Sequence, residues 1–358
     1  MGPVRNVDDL MAVGHGYQRA MVLFAALKLG VFRGLAAGEC DASGLARRVG
    51  ADPGKLSILL DALAVQGLVG KKGNRYRNAQ VARDLLLPGQ RSMESILLHH
   101  LDGWAEWGRL PATIRAGRAQ IGGADGGYQE NFIRGMEQNA RKRAAAVARK
   151  ISLRSGERLL DLGGGPGTYA VAWAQTYPRA EITVFDTPGT LRVARKILRE
   201  KGVEARIRLV EGDFLKDPLG GPYDFIWISQ ILHAFPEADC RKLLRKARAA
   251  LAPGGRAAVQ EFLLAEGKTS PPGPVFFSVH MVAVTEGGRA YTAKEIAGMM
   301  RSAGFHKIAA DPPDPLGVGI VRGAVGNTAF RGNNDPGRKH PTVNRIGGRG
   351  TLDRKAAR

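Results

Sequence analysis

From residue 157 onward, short apolar runs alternate with longer stretches whose apolar positions recur at helical spacing. The run RLLDL precedes a helical pattern over 169–177, and EITVFD precedes another over 191–201. RIRLVEGD and YDFIWIS follow, then a pattern over 238–251, then GRAAVQEFLL. Continuous apolar strands separated by amphipathic helices predict a mostly parallel sheet covered on both faces. Residues 292–303 read as a further helix, with Thr292 as N-cap and Gly304 as the stop. Beyond Gly323 the periodicity fades.

The first part of the chain follows another rhythm. Residues 10–35 carry Met21, Leu23, Phe24, Leu27 and Leu29, dense enough for a helix buried inside a domain or a subunit contact. Next, DASGLARRVGADPGKLSILLDALAVQGLV reads as two short helices joined near Asp52-Pro53-Gly54, and KKGNRYR as a hairpin. This is a winged-helix pattern, which in other settings reads DNA through its second helix. Here that helix, over 55–66, offers Leu56, Ile58, Leu59, Leu60 and Leu63 and few polar groups for base edges, which favours a dimerisation use. Residues 92–150 read as helices, with Trp104 and Trp107 flanking an expected bend and a Gly-rich linker over 122–127. Phe132 and Met136 then share one helical face at i, i+4.

Composition narrows the picture. A chain of 358 residues with 44% hydrophobic content holds two ordinary domains. Cys40 and Cys240 lie far apart, outside any C-x-x-C pair, which argues against a disulfide framework or a zinc site and fits a reducing cytoplasm. The apolar run over 20–32 is short and carries Lys28, so no membrane or secretory segment is expected. The net charge of +20 suggests nucleic acid at first, but residues 331–358 alone hold eight Lys/Arg against two Asp/Glu. Other basic clusters fall on helical patterns, where solvated faces are the plainer reading.

The chemistry converges on residues 158–168, RLLDLGGGPGT: strand, glycine turn, helix. A dinucleotide fingerprint counted from Gly163 needs Gly or Ala at 168, where Thr168 stands. No Lys-Ser/Thr pair follows, so the turn is not a phosphate-cradling loop. Three expected strand ends instead carry acids: Asp161, Asp186 and Asp213. Acids at the carboxyl ends of parallel strands suit a ligand with an ammonium, ribose hydroxyls and a sulfonium, which describes S-adenosylmethionine. Asp186 is placed to accept from ribose hydroxyls, and Asp213-Phe214 to accept from an adenine amino group and cover its face.

DLGGGPG, FDTP, GDF, ILHAFPEADC, LAPGG and TEGGRAYT occur in order. Together they resemble the S-adenosylmethionine-dependent O-methyltransferases of the plant caffeate and hydroxyindole type, over about residues 10–322. The resemblance implies a Rossmann-like class I methyltransferase domain (α/β), preceded by an α-helical winged-helix dimerisation domain, in a homodimer. It implies cofactor contacts at Gly163, Gly165, Asp186, Asp213, Phe214 and the backbone of Ser229. It also implies His233 as general base, Glu261 as the acid that positions it, and an acceptor pocket lined by Phe132, Met136, Phe277 and Met281 for a small aromatic or polyketide-like hydroxyl. The expected division is 1–100 for dimerisation, 101–150 for a helical linker reaching the acceptor pocket, 151–322 for the cofactor domain, and 323–358 for a basic tail.

Two departures stand out. Ala234 follows the histidine where the family commonly has Asp, and Ala290 replaces a second acid, with Glu286 nearby but out of register. They leave room for C- or N-methylation, or for a relative of the fold that does not methylate. A DNA-binding regulator with a ligand-sensing α/β domain is the reading from another class. A base-amino methylase would need an Asp/Asn-Pro-Pro-aromatic string after the fourth strand, where SQILH stands. No His/Asp/Glu cluster argues for a metal.

Overall fold

The computed structural model describes residues 3–119 and 128–326; the expected linker over 122–127 and the tail from 327 lie outside the described residues. The chain opens with α1 (Val7–Lys28) and α2 (Val31–Ala36), separated at Gly30. The run over 10–35 is therefore two helices, and it is buried only in part. Phe24, Ala26 and Leu27 are enclosed, whereas Leu29 and the stripe Val7, Leu10, Val13 and Tyr17 face solvent in the single chain.

β1 (Cys40–Asp41), α3 (Ala42–Val49), α4 (Pro53–Val65), β2 (Val69–Lys72) and β3 (Arg75–Asn78) build the winged unit, its three strands ordered β1-β3-β2. Asp41 and Asp52 cap α3 and α4 by accepting from the amides of Gly44 and Lys55. Leu56, Leu60 and Leu63 point into the core with Phe32, Leu45 and Tyr76. The outward face of α4 presents Ile58 and Val65, 73% and 90% exposed, beside Asp61, which Lys71 and Tyr76 engage. An apolar face with an acid at its centre is a poor reader of DNA and a good subunit contact.

Helices α5 (Gln80–Leu85), α6 (Glu94–Asp102), α7 (Trp104–Gly108), α8 (Leu110–Ala116) and α9 (Tyr128–Lys150) lead into the second half. Trp104 and Trp107 sit together on α7; the chain bends on either side of it, at Gly103 and Arg109, not between the two tryptophans. α6 crosses α9 closely because Gly135 has no side chain: a Cβ there would lie 3.0 Å from Ile96 Cα. The amide of Ile96 donates to Gln138 Oε1 at 3.0 Å across the same crossing.

The second half alternates β4 (Arg158–Leu162), α10 (Thr168–Thr176), β5 (Glu181–Asp186), α11 (Pro188–Glu200), β6 (Ile207–Glu211), β7 (Tyr223–Ser229), α12 (Glu237–Ala249) and β8 (Leu251–Leu264). α13 (Pro272–Val284), β9 (Tyr291–Thr292), α14 (Ala293–Ser302), β10 (His306–Asp311) and β11 (Val318–Ala324) complete it. The main sheet runs β10-β11-β8-β7-β4-β5-β6. Strands β6, β5, β4, β7 and β8 are parallel, while β11 and β10 add an antiparallel edge where the sequence pattern named no strand. β11 runs to Ala324, past the boundary expected at 322.

α9, α10 and α11 cover one face around Trp173 and Trp227, and α12 and α14 cover the other around Leu243, Ile296 and Met299. Thr292 caps α14 in a reciprocal box with Glu295, a device contributing about 1 kcal/mol. Strand order reverses between β4 and β7, so a crevice opens at their carboxyl ends, where open α/β sheets bind ligands. Among the described residues, no helix is long and apolar enough to cross a membrane.

Candidate functional site

The crevice floor is the turn after β4. Gly163, Gly165 and Gly167 all have positive φ, at +66°, +56° and +73°, which side-chain-bearing residues rarely adopt. At Gly163 space is also required, because a Cβ would lie 2.4 Å from Ile231 Cδ1. The turn is tied to β5 by the amide of Gly163 donating to the carbonyl of Phe185 at 2.8 Å.

The three acids identical in the sequence pattern differ in place. Asp186, nearly buried, accepts from the Gly165 amide through Oδ2 at 2.8 Å and from the Thr187 amide through Oδ1 at 2.7 Å. Burial raises its pKa, and each oxygen keeps a second lone pair. Asp161 does not open onto the crevice as the strand-end reading expected. It is sealed beneath Gly164, whose Cβ would lie 2.7 Å from the carboxyl carbon, and neither oxygen has a hydrogen-bond partner. Burial pushes its carboxyl up to about 7 and Asp186 adds to the rise, while the nearby Ala170 amide lowers it without reaching hydrogen-bond geometry. Asp213 is half-buried and turns back on its own loop, accepting from the Leu215 amide at 2.9 Å and pairing with Lys216 at 3.1 Å. Those contacts hold its pKa down, the Leu215 amide foremost. Phe214 packs edge-on to Phe235 at 5.7 Å.

Strand β8 carries the next two groups on opposite faces. Gln260, on the α10 side, accepts through Oε1 from Tyr169 Oη at 2.5 Å and Ser229 Oγ at 3.0 Å. Ser229 is thus fixed at the end of β7 by a residue that sequence reasoning passed over. Glu261 faces the other way and is fully buried. Its Oε1 accepts from the amides of Ile231 and Leu232 at 2.9 and 2.8 Å, and its Oε2 meets His233 Nδ1 at 2.7 Å. His233 sits on a one-turn 3-10 helix, Leu232–Ala234, whose start this carboxylate holds.

Around His233 the wall is aromatic. Phe277 of α13 meets the imidazole edge-on at 4.8 Å, and Phe262 at 4.6 Å backs Phe277. His280, one turn along α13, accepts at Nδ1 from Trp107 Nε1 at 3.2 Å and stacks on that indole. Phe132 lies edge-on to His99 at 5.0 Å, on the α6 side. Beyond Trp107 a cavity of about 430 Å³ is lined by Phe24, His100, Trp104 and Gly108. Of the four expected lining residues, Phe277 and Phe132 join this aromatic surface. Met281 is buried, and Met136 is half-buried on α9. Sequence reasoning missed His99, His100 and His280; their only signal was three histidines on apolar helices.

Both departures have a place in the fold: Ala234 is half-buried at the end of the 3-10 turn. Ala290 is buried, its amide donating to Ser278 Oγ at 3.1 Å, and Glu286 is exposed and does not stand in for the missing acid. Gly288 packs directly under the His233 turn, where a Cβ would lie 2.3 Å from the His233 carbonyl oxygen.

These residues fit S-adenosylmethionine. A turn of glycines, three at positive φ and with no room for a side chain at Gly163, lets an extended ligand lie close to the backbone. Asp186 retains acceptor capacity for vicinal hydroxyls. The partnerless Asp161 carboxylate beneath the turn favours positive charge above it.

Comparison with known proteins agrees. The family model for the O-methyltransferase domain matches residues 111–306, and that for the O-methyltransferase dimerisation domain matches residues 11–88. Mouse acetylserotonin O-methyltransferase is 33% identical over 330 residues, covering 85% of each chain. The 3-hydroxy-5-methyl-1-naphthoate 3-O-methyltransferase of Streptomyces sahachiroi is 30% identical over 306 residues, covering 82% of this chain and 88% of its own. The crystal structure of human N-acetylserotonin methyltransferase in complex with SAM superimposes with a TM-score of 0.80 at 27% identity, covering 91% of this chain and 100% of the other.

Proposed function

The chain belongs to the O-methyltransferase family, uses S-adenosylmethionine and carries its dimerisation domain, and from that premise we propose that His233 deprotonates an aromatic or polyketide-type hydroxyl for methylation. One observation carries the base assignment. Glu261 is held as an acceptor by two backbone amides, so the 2.7 Å contact makes His233 Nδ1 the donor and leaves Nε2 with its lone pair in the neutral ring. Among the described residues nothing else engages Nε2.

When bound, S-adenosylmethionine supplies an electrophilic methyl on a sulfonium, which departs as a neutral thioether. The protein's part is to bring an oxygen nucleophile to it. A phenol ionises at about 10, so little phenolate exists at neutral pH without a base. A positioned imidazole removes that proton as attack proceeds, a contribution of roughly 10²–10⁴-fold. Glu261 supports the imidazolium that results. The edge-on ring of Phe277 shapes a slot for a flat acceptor.

Asp186 is the group for the ribose hydroxyls, Gly163, Gly165 and the Ser229 backbone for the amino-acid end, and Asp213 with Phe214 for adenine. Asp161 acts from beneath the turn, through its charge. Phe132 and Phe277 line the acceptor, with Met136 and Met281 filling in behind them. We read residues 1–100 as the dimerisation unit, 101–150 as the acceptor-side arm and 151–322 as the cofactor domain. Its two free, buried cysteines support our reading of a cytoplasmic enzyme. The relatives' names, acting on a serotonin and a naphthoate hydroxyl, support an aromatic acceptor.

The test is labelled-methyl transfer to a panel of phenols, naphthols, hydroxyindoles and aromatic amines, with the methylated atom identified. O-methylation that falls roughly 10²-fold or more in His233→Ala is expected. An undiminished rate, or transfer confined to carbon or nitrogen, overturns the reading.

A further inference from the structure

The aromatic wall holds a second histidine whose ring is set oppositely to His233. At His233, Nδ1 donates its N–H to Glu261. At His280, Nδ1 instead accepts a hydrogen bond from Trp107 Nε1 at 3.2 Å, and an indole nitrogen donates only. A neutral imidazole that accepts at Nδ1 carries its proton on Nε2. The stacking of Trp107 on His280, at 6.0 Å and 15°, fixes the ring plane as well. Nε2 of His280 has no partner among the described residues, and it is not sealed from solvent.

Phe277 stands between the two histidines, 4.8 Å from one ring and 6.2 Å from the other. One wall therefore offers a proton acceptor, a flat apolar ring and a hydrogen-bond donor in sequence.

We propose that His280 is an acceptor-positioning residue, donating from Nε2–H to a carbonyl-type oxygen that lies across the aromatic ring from the hydroxyl to be methylated. The proposal rests on the acceptor site assigned above. A ligand that spans Phe277 presents its hydroxyl to His233 and its far oxygen to His280. Burial keeps His280 below the ordinary histidine range, so the neutral donor form prevails at physiological pH. Because Trp107 also lines the cavity next to Phe24 and Trp104, groups beyond the carbonyl have space to continue.

The experiment is calorimetric binding of two shape-matched probes, 6-acetyl-2-naphthol and 6-isopropyl-2-naphthol, to the full chain loaded with S-adenosylhomocysteine. The expected result is ~10-fold tighter binding of the acetyl compound, the yield of one well-placed hydrogen bond. His280→Phe abolishes that preference and leaves the isopropyl compound unchanged; His280→Gln, which keeps an N–H donor, restores part of it. Trp107→Phe releases the tautomer and weakens the preference, with a mixed tautomer signal from His280 in nitrogen NMR. Equal binding of the two probes, binding of neither, or a preference that survives His280→Phe overturns the proposal. His233→Ala separates the two readings. It removes transfer while keeping the binding preference if both stand. If wild-type protein transfers methyl to neither probe yet still prefers the acetyl compound, the base assignment fails and the donor assignment stands.

Discussion

Replacing Glu261 with Gln changes one oxygen to an amide nitrogen and reverses the logic of the base. The amide oxygen of the substituted side chain still accepts from Ile231 and Leu232, so the 3-10 turn keeps both of its anchors. The amide nitrogen then faces His233 Nδ1 as a donor, and the ring answers by accepting there and protonating Nε2. The imidazole stays in place in the wrong tautomer. Two losses combine: the charge-assisted bond, about 1.5–3 kcal/mol, and the lone pair aimed at the acceptor hydroxyl. We expect kcat to fall by ~10²-fold or more, while Kd for S-adenosylmethionine changes little. Folding stability should drop by only about 1–3 kcal/mol, because no buried amide is orphaned. Steady-state transfer of labelled methyl, with cofactor affinity from calorimetry and stability from urea titration, separates these terms. A kcat within about threefold of wild type would refute the assignment of His233 and Glu261 as one unit. So would a loss seen wholly in cofactor affinity.

Two further outcomes follow from the glycine turn and the acid beneath it. Gly163→Ala places a methyl 2.4 Å from Ile231 at positive φ, so cofactor affinity should fall by ~10-fold or more, with about 1–3 kcal/mol of stability, measured by calorimetry and denaturation. Asp161 has a folded-state pKa raised to about 7 above an unfolded value of about 3.9, so the folded state binds the extra proton between those limits. Stability of the ligand-free protein therefore declines as pH rises through this window, and Asp161→Asn should flatten that component in urea midpoints taken from about pH 4 to 8.

What was legible in the sequence has a physical basis. β4, β5 and β7 are buried on both faces, so their apolar runs are continuous and unmistakable, and Gly-Gly-Gly-x-Gly marks a turn only glycine can make. The strands β10 and β11 were hidden because neither carries such a run: His306 and Lys307 of the edge strand β10 face solvent, and in β11, enclosed between β10 and β8, Gly319 and Gly323 interrupt the pattern. Asp161, Asp186 and Asp213 looked alike because spacing reports position along a strand, not enclosure. One is sealed, one is bound to two amides of the glycine turn and β5 end, and one is half-exposed and folded onto its own loop. His280 was invisible for a different reason. Its tautomer is set by Trp107, far away in the chain, and no local pattern records that pairing.

The alternation of Gln260 and Glu261 along β8 has an evolutionary consequence. One strand holds Ser229 on one side and His233 on the other, and neighbouring residues divide the two duties. Insertion or deletion of a single codon there exchanges their faces and disables both at once. α13 leans on the same strand through Phe277 against Phe262, whereas α7 meets α13 through Trp107 and His280. Single-residue insertions and deletions at 260–261 are therefore expected to be selected against, whatever the neighbouring helices tolerate.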